Sequence, residues 1–263
     1  MKTKNVLIAC ACTLFTLTGQ AQTQVIAHRG LWKTEHSAQN SITALKKAAE
    51  SKLYGSEFDV QLTADRVVVV NHDDTIQGFT IGKTNYDNLK DLLLKNGEKL
   101  PTLADYLQAG KKQTGIQLIL EIKPHQTKEQ EDQIAKETVS MVKEYGLEKQ
   151  VEYISFSMNI CEQLVKLTPN SAIAYLKSDI PPKELKAKGI NGIDYYYKAI
   201  EKHPEWIDEA HKLDMKVNVW TVNNLKDIQK MIDLKVDYIT TDYPLETSDL
   251  IKKDKGSNLH QTM

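Results

Sequence analysis

The chain has 263 residues, of which 41% are hydrophobic and 26% charged. This apolar content is sufficient for a buried core in one large domain or two small ones, and it excludes an intrinsically disordered chain. Because 34 basic residues nearly balance 35 acidic ones, the composition also excludes an electrostatic nucleic-acid binder and gives no sign of a polybasic membrane anchor.

Residues 1–21 are typical of a secretory signal peptide. Lys2 and Lys4 give a basic start, an uncharged and largely apolar stretch follows, and small residues precede the end at Ala21. The apolar stretch is too short for a membrane-spanning helix. We therefore expect cleavage near Ala21 and an exported mature chain over residues 22–263, periplasmic or secreted and without stable membrane insertion.

Only one cysteine remains after this cleavage, because Cys10 and Cys12 fall within the signal segment. A single cysteine cannot form an internal disulfide or a cysteine-based metal site. Cys161 lies in an amphipathic stretch, where we expect it to act as a small core hydrophobe.

Short apolar, β-branched runs alternate with segments of helical period through the mature chain. Eight strand–helix pairs predict a parallel sheet, and eight is the number that closes a TIM (β/α)8 barrel. A doubly wound open sheet is the alternative, but no glycine-rich dinucleotide-binding loop follows the first strand. No composition break marks a linker, so we expect a single domain. The predicted strands are Gln24–His28, Glu57–Thr63, Gln117–Lys123, Val151–Ser157, Ala172–Lys177, Gly192–Tyr196, Lys216–Val222 and Asp237–Thr241.

The predicted helices lie between these strands and several carry start signals. Asn40 or Ser41 is expected to cap the first helix and Thr102 the second, while Pro204 lies early in the sixth. The predicted helices span about 40–52, 102–111, 127–146, 158–168, 182–188, 204–213, 224–234 and 244–252.

One apolar run, Arg66–His72, does not fit the alternation. Only Ala64-Asp65 separates it from the second strand, which is too short for a crossover to a parallel strand. We therefore predict a β-hairpin extension on the second strand. With a two-residue turn, Glu57 would face His72 across the hairpin, and another loop length would shift that register. The return limb is expected to bring His72 back to Glu57 and Asp59.

Polar side chains gather at the predicted C-terminal ends of the first three barrel strands, where such barrels carry their chemistry. Glu57 and Asp59 share one strand face, as do Glu121 and Lys123. Buried charges must be paired or must bind a cation. Three carboxylates with few nearby cations favour the cation, and all-oxygen ligands favour Mg²⁺ or Ca²⁺ over zinc.

Two histidines and an arginine are expected beside that cation. His28 and Arg29 end the first strand, and His72 ends the hairpin return. In phosphodiester cleavage, the cation and Arg29 would neutralise phosphoryl oxygens, while one imidazole removes a proton and the other protonates the leaving oxygen. Each residue alone also has a structural explanation, such as a strand-end histidine or a salt bridge. Their joint placement favours phosphodiester cleavage.

The same residues resemble a known family, the glycerophosphodiester phosphodiesterases. The similarity spans roughly residues 25–250, and it implies a TIM-barrel hydrolase that releases glycerol 3-phosphate and an alcohol from deacylated phospholipids. The motifs that carry it are Ala27-His28-Arg29-Gly30, Asn40-Ser41, Glu57-Phe58-Asp59-Val60-Gln61-Leu62-Thr63, His72-Asp73, Glu121-Ile122-Lys123, Val219-Trp220-Thr221-Val222-Asn223 and Asp237-Tyr238-Ile239-Thr240-Thr241-Asp242-Tyr243-Pro244.

This resemblance implies a role for each of eight residues. In the family, a glycerol hydroxyl is thought to attack phosphorus and give a cyclic phosphate, which water then opens. By position, the implied roles are acid–base catalysis for His28 and His72, one divalent cation bound by Glu57, Asp59 and Glu121, phosphate contacts by Arg29 and Lys123, and a wall of the glycerol pocket formed by Trp220.

The chain departs from the family pattern in two places. The usual Pro-Glu-Asn before the first helix is Ala38-Gln39-Asn40 here, so Gln39 removes a negative charge near the site. After His72-Asp73, the usual Leu-Asp-Arg-Thr-Thr is replaced at residues 74–78, and the segment 74–100 is compact. These departures bear on the alcohol portion of the substrate more than on the reaction type.

Other functions remain open beside a small-molecule glycerophosphodiester substrate. The same mechanism could act on lysophospholipid or sphingolipid headgroups. A non-catalytic phosphodiester-binding or sugar-binding relative is supported only by Gln39. A glycosidase would also use paired carboxylates, but Arg29 and two histidines favour an anionic substrate. The sequence leaves the oligomeric state open.

Overall fold

A computed structural model describes the backbone of residues 22–260 and the side chains of residues 22–253. The predicted signal peptide, with Cys10 and Cys12, lies outside the described residues. Within the part of the chain that is described, no helix combines the length and the apolar character needed to cross a membrane.

Eight parallel strands close into a barrel, which confirms the predicted fold. The first strand pairs with the second at Ile26 and Ala27 and with the last along Gln24–Ala27, and these two ladders close the ring. The ring order is β1-β2-β6-β7-β8-β9-β10-β11, with β3 antiparallel to β2. The strands are β1 (Gln24–Ala27), β2 (Gly55–Leu62), β3 (Val68–Val70), β4 (Thr75–Ile76), β5 (Phe79–Thr80), β6 (Gln117–Ile122), β7 (Val151–Ser155), β8 (Ile173–Tyr175), β9 (Gly192–Tyr196), β10 (Lys216–Trp220) and β11 (Tyr238–Thr241).

Helices follow the barrel strands at the predicted places, with two differences. A helix over Tyr197–Lys202 was not predicted, because it begins without a side-chain cap directly after an aromatic run. The last helix continues to His260, beyond the predicted end at residue 252. The helices are α1 (Ile42–Glu50), α2 (Leu103–Gly110), α3 (Lys128–Tyr145), α4 (Met158–Leu167), α5 (Pro182–Ala187), α6 (Tyr197–Lys202), α7 (Glu205–Lys212), α8 (Leu225–Asp233) and α9 (Pro244–His260).

The apolar side chains form a shell around the barrel and a smaller cluster inside it. Ile26, Ile119, Ile154 and Leu176 make up the inner cluster. Cys161 belongs to the outer shell and is fully buried, as predicted, and burial raises the pKa of its thiol to about 12. Such a thiol is unreactive at neutral pH.

The predicted hairpin is present, and its loop is longer than the two residues for which Glu57 would face His72. Val60 pairs with Val70 and Leu62 with Val68, so the loop has three residues and Glu57 does not face His72 in register. Arg66 adopts a left-handed conformation with φ of 67°. The turn is stabilised by Asp65, whose Oδ1 accepts hydrogen bonds from the Thr63 hydroxyl at 2.7 Å and the Tyr86 N–H at 2.9 Å.

The segment after the hairpin forms a compact extension, as predicted for residues 74–100. It contains β4, β5 and two short 3₁₀ helices, Ile81–Lys83 and Tyr86–Asn88. Its apolar residues pack against Val69 on β3. The Glu98 carboxylate accepts hydrogen bonds from the Ile42 and Thr43 N–H groups at the start of α1. The extension is thereby fixed to the C-terminal end of the barrel, which also satisfies two free donors of that helix.

Candidate active site

A cavity of about 120 Å³ lies at the C-terminal end of the barrel, where the βα segments meet. Its polar lining comes from β1, β2, β6, β9, β10 and β11, from the residues that follow these strands, and from the hairpin return. The cavity is lined by seven of the eight predicted site residues: His28, Arg29, Glu57, His72, Glu121, Lys123 and Trp220.

The eighth predicted residue, Asp59, completes a cluster of carboxylates with Glu57 and Glu121. One oxygen of each lies within 4.8 Å of the others, and their exposed fractions are only 3%, 1% and 7%. The arrangement follows from the sheet. Glu57 and Asp59 are two residues apart and therefore lie on the same face of β2. Asp59 is the register partner of Glu121 on the neighbouring β6. Parallel pairing therefore brings the three carboxylates together.

Two cationic side chains accompany these three acids. Lys123 Nζ lies 2.9 Å from Glu121 Oε1 and 3.5 Å from Asp59 Oδ1. Arg29 Nε lies 3.9 Å from Asp59, while the Arg29 backbone N–H donates a hydrogen bond of 2.7 Å to Glu57. With all groups ionised, three negative charges face two positive ones. The cluster therefore has an excess of negative charge in a buried place.

The pKa values of the three carboxyl groups are shifted in different directions. Burial, together with the charge of Asp59, raises the pKa of Glu57 well above its ordinary value and that of Glu121 to about 8. Burial opposes ionisation of Asp59 too, but the charges of Lys123, His72 and Arg29 and the Asn40 hydrogen bond together outweigh it and lower the pKa of Asp59. Asp59 is thus the carboxylate that the protein itself holds ionised, and the two glutamates are the ones that a cation would stabilise.

The segment before α1 positions Asp59 through hydrogen bonds. Asn40 donates a hydrogen bond of 2.9 Å from Nδ2 to the Asp59 carboxylate and accepts one of 3.2 Å from the Asp59 N–H. Ser41, the other predicted candidate, is the residue that caps α1. Gln39 accepts a hydrogen bond of 2.9 Å from the Arg29 guanidinium. A neutral amide therefore orients Arg29 without neutralising its charge.

Each predicted histidine has an aspartate partner. His28 Nδ1 lies 2.7 Å from Asp242 Oδ1, and His72 Nδ1 lies 2.7 Å from Asp73 Oδ1. In both pairs the other ring nitrogen, Nε2, remains available to a ligand. Burial lowers the pKa of His72, although Asp59 and Asp73 oppose this effect. The protonated form of His72 is therefore a stronger acid than an ordinary imidazolium.

The hairpin return reaches the cavity because Gln61 fixes its backbone. Gln61 Nε2 lies within hydrogen-bond distance of three successive carbonyl oxygens, those of Asn71, His72 and Asp73, at 3.0, 3.1 and 2.7 Å. The prediction that the return limb carries His72 to the acidic residues is correct, although the ladder ends two residues earlier at Val70. His72 enters the site through this loop and not through a paired strand.

An aromatic wall closes one side of the cavity. Trp220 stands edge-on to Phe156 with ring centroids 5.4 Å apart, and its indole Nε1–H donates a hydrogen bond of 2.9 Å to the Asp194 carbonyl. Phe156 and Trp220 both line the cavity. An apolar wall next to charged groups suits the carbon skeleton of a small polyol phosphate.

Sequence reasoning missed four residues that shape this site. Asn40 was considered only as a helix cap, and Asp242 lay in a recognised motif without an assigned role. Gln61 gave no signal, since its partners are backbone atoms. Asp194 lies in the cavity wall and is fully buried, and burial raises the pKa of its carboxyl to about 7. Its position inward on β9 was the only signal that could have found it.

The family model described as "Glycerophosphoryl diester phosphodiesterase family" matches residues 28–246. A glycerophosphodiester phosphodiesterase of Caldanaerobacter subterraneus is 29% identical over 88% of this chain and 99% of its own. Among solved structures, a glycerophosphodiester phosphodiesterase of Parabacteroides distasonis is 50% identical with a TM-score of 0.89, covering 90% of this chain and 100% of that one. An Oleispira antarctica phosphodiesterase, solved with sn-glycerol-3-phosphate as product, shares the fold at 24% identity and a TM-score of 0.78, over 88% and 97% of the two chains.

The fold, the pocket and these relatives define the class of the protein, which is a phosphoric diester hydrolase built on a TIM barrel. Because the family model covers most of the chain, the protein belongs to the glycerophosphoryl diester phosphodiesterase family.

Proposed function

We propose that the protein hydrolyses glycerophosphodiesters to glycerol 3-phosphate and an alcohol, using one divalent cation and two histidines. The observation that carries this proposal is the meeting of Glu57, Asp59 and Glu121 in one pocket with His28 and His72. Structural salt bridges do not require three carboxylates to converge, and a binding protein does not require two imidazoles beside them.

The carboxylate cluster fits Mg²⁺ or Ca²⁺. All three ligands would be oxygen atoms, they are buried, and their charge exceeds that of the two neighbouring cations, which is the donor set that hard divalent cations prefer. Glu57, Asp59 and Glu121 would hold the ion. When bound, it supplies positive charge to the phosphoryl oxygens.

The other side chains have roles that follow from their positions. Arg29 and Lys123 carry the positive charges of the cavity lining and would bind the remaining phosphoryl oxygen. Phe156 and Trp220 would contact the glycerol carbons. Since Asp242 occupies Nδ1 of His28 and Asp73 occupies Nδ1 of His72, both histidines present Nε2 for proton transfer.

The proposed reaction has two steps. In the first, a neighbouring glycerol hydroxyl attacks phosphorus: its O–P bond forms, one imidazole takes its proton, and the other gives a proton to the alcohol as the P–O bond to that alcohol breaks. In the second, water attacks the cyclic phosphate: its O–P bond forms, the imidazole that gave a proton in the first step takes one from water, and the other returns its proton to the glycerol hydroxyl as the P–O bond to that hydroxyl breaks. This sequence returns both histidines to their starting protonation states.

The test is release of glycerol 3-phosphate from glycerophosphocholine and glycerophosphoethanolamine. We expect product formation that stops with a chelator and resumes with Mg²⁺ or Ca²⁺. Glu121→Gln should abolish turnover, while Glu152→Gln, which removes an acid on the next strand outside the site, serves as the matched control. Binding of either diester with metal present but without product would contradict the proposal and favour a non-catalytic relative.

Export is part of the same proposal. The basic and apolar start of residues 1–21 supports removal near Ala21. The protein recovered from the periplasm or the medium is expected to begin at Gln22. An intact N-terminus in the cytoplasmic fraction would contradict this.

A further inference from the structure

Two motifs without an assigned role meet beside His28. Asn223 follows β10 and Asp242 follows β11, so both lie at the C-terminal end of the barrel. Asp242 Oδ1 accepts hydrogen bonds from His28 Nδ1 at 2.7 Å and from Trp32 Nε1 at 3.2 Å, while Oδ2 accepts one from Asn223 Nδ2 at 2.8 Å. Lys33 Nζ lies 3.9 Å from Oδ2. Each of these groups faces the carboxylate as a donor.

The orientation of Asn223 is fixed by its own acceptor atom. Asn223 Oδ1 accepts hydrogen bonds from the Asp242 N–H at 2.9 Å and from the Thr241 hydroxyl at 3.1 Å. Rotating the amide by half a turn would place its NH₂ group against the Asp242 N–H, a donor against a donor. Asn223 Nδ2 must therefore point at the Asp242 carboxylate.

We propose that Asp242, oriented by Asn223, is a positioning residue that holds His28 with its proton on Nδ1 and its unprotonated Nε2 facing the cavity. A carboxylate surrounded only by donors can only accept, so His28 must donate. The low pKa of Asp242, about 2, agrees with this, because the hydrogen bonds from His28, Asn223 and Trp32 outweigh the effect of burial.

The second histidine pair lacks this arrangement. His72 and Asp73 are just as close, at 2.7 Å, but the Asp73 side chain is 76% exposed, compared with 16% for Asp242. An exposed carboxylate exchanges its partner with water and can rotate. The inference therefore concerns His28 alone, and it rests on the proposed function only for its effect on turnover.

Replacing the carboxylate by an amide tests the inference. In Asp242→Asn, the new NH₂ group must face either Asn223 Nδ2 or the His28 and Trp32 donors. Either arrangement places one hydrogen-bond donor against another. Facing His28, it would move the imidazole proton to Nε2, the tautomer that cannot accept a proton from a substrate. Loss of the corresponding aspartate in a serine protease triad lowers kcat by about 10⁴-fold, and we expect a loss of at least about 100-fold here.

The double substitution Asp242→Asn/Asn223→Asp restores every hydrogen bond. The carboxylate at position 223 accepts from the amide at position 242, which then accepts from His28 and Trp32, while the backbone N–H and Thr241 hydroxyl keep their acceptor. We expect the double variant to recover at least about tenfold in kcat over Asp242→Asn. The variant Asn223→Asp alone would oppose two carboxylates and should not gain activity.

Asp237→Asn is the matched control for a merely structural effect. Asp237 also lies next to β11, is largely buried, and pairs with a histidine and a lysine, at 2.9 Å to His211 and 2.9 Å to Lys216, but outside the cavity. The Asp237→Asn variant is expected to lower the free energy of unfolding as Asp242→Asn does, without changing the His28 tautomer.

The experiment measures the ¹⁵N chemical shifts of the His28 ring in the full mature chain, together with kcat on glycerophosphocholine. The expected result is Nδ1-protonated His28 in the wild type and in the double variant, and a changed tautomer with the loss in kcat in Asp242→Asn. An unchanged tautomer with kcat within threefold of wild type in Asp242→Asn would overturn the inference, as would a double variant no better than the single one. Because the spectra need no substrate, failure of the proposed function would leave this test intact.

Discussion

Two groups of buried acidic residues lie in the same barrel, and they are neutralised differently. At the C-terminal end, Glu57, Asp59 and Glu121 converge within 4.8 Å beside cationic side chains. Towards the N-terminal end, Glu152 lines a second cavity of about 280 Å³ together with Asp194, which lies between the two cavities and lines both. There Glu152 accepts a hydrogen bond from the neutral Tyr54 hydroxyl, and within the described residues no cationic side chain forms an ion pair with either acid.

The comparison shows that convergence, more than burial, indicates an ion site. Burial raises the pKa of Glu121 to about 8 and that of Asp194 to about 7, so both groups are costly to ionise. A separate acid with a neutral donor can take up a proton. Three carboxylates around one point, with the pKa of Asp59 lowered by Lys123 and its other donor neighbours, are better satisfied by a divalent cation. The larger cavity also lacks the histidines and the arginine.

The largest effect is expected from substitutions in the carboxylate cluster at the C-terminal end. Glu57→Gln or Glu121→Gln removes a ligand oxygen's charge and should lower kcat/KM on glycerophosphocholine by roughly 10³-fold, the effect of losing several kcal/mol of charge stabilisation. The N-terminal variant Glu152→Gln should stay within about threefold of wild type by the same steady-state assay, since Glu152 does not line the active-site cavity and is hydrogen-bonded to the Tyr54 hydroxyl. Equal losses in both would remove the distinction between the two regions.

The next effect concerns the acid–base pair. His28→Ala and His72→Ala should each lower kcat by roughly 10²–10⁴-fold, the contribution of general acid–base catalysis, with a far-ultraviolet spectrum like that of wild type. Product release would be followed by an enzymatic assay of glycerol 3-phosphate. Full activity in either variant would show that its imidazole transfers no proton in the rate-limiting step.

A smaller effect is expected in the pH dependence of cation affinity. Because burial and Asp59 raise the pKa of Glu121 to about 8, protons compete with the cation below that pH. The dissociation constant for Mg²⁺ or Ca²⁺ should therefore rise as pH falls, by about 10–100-fold between pH 8 and pH 6. Isothermal titration at several pH values measures this. A dissociation constant that is independent of pH over this range would mean that Glu121 is already ionised before the ion binds.

The smallest effect is on stability, at Asp194. Its pKa is raised in the folded state, so ionisation destabilises the fold progressively as pH rises from about 4 to 7. Asp194→Asn has no such penalty. Its free energy of unfolding relative to wild type should therefore improve by roughly 2–4 kcal/mol between pH 4 and pH 8.

Urea unfolding of both proteins at the two pH values provides the comparison. Asp237→Asn is the control: hydrogen bonds and ion pairs outweigh burial and lower the pKa of Asp237, so the stability that this carboxylate contributes is present at both pH values and is lost only at lower pH. Its difference from wild type should therefore change little over this range. A constant difference between Asp194→Asn and wild type across this range would show that Asp194 ionises in the folded state without penalty.

Much of the fold could be predicted because each barrel strand has a local sequence signal, a short β-branched run between two segments of helical period. The eight strands were found at their places. Strand alternation predicted that Glu57 and Asp59 share a face, whereas Trp220 was named only through the family resemblance. The left-handed turn at Arg66 could not be predicted, since it depends on the contact of Asp65 with Tyr86, 21 residues later.

The missed site residues depend on contacts between distant segments. Asp242 reaches His28 across 214 residues, because closure of the barrel places β11 next to β1. Asn40 looks like a helix cap in sequence, but its side chain binds Asp59 on β2 instead. In both cases the residue type was visible and its partner was not. Side-chain roles that arise from barrel closure require the three-dimensional structure.

The central claim is that Glu57, Asp59 and Glu121 share one divalent cation, and a crystal structure with Mn²⁺ or Ca²⁺ tests it most directly. Anomalous scattering should place a single ion within about 2.0–2.6 Å of an oxygen from each of the three residues, with both imidazoles nearby. No ion at that position at saturating concentration, or an ion held elsewhere by other side chains, would contradict the account.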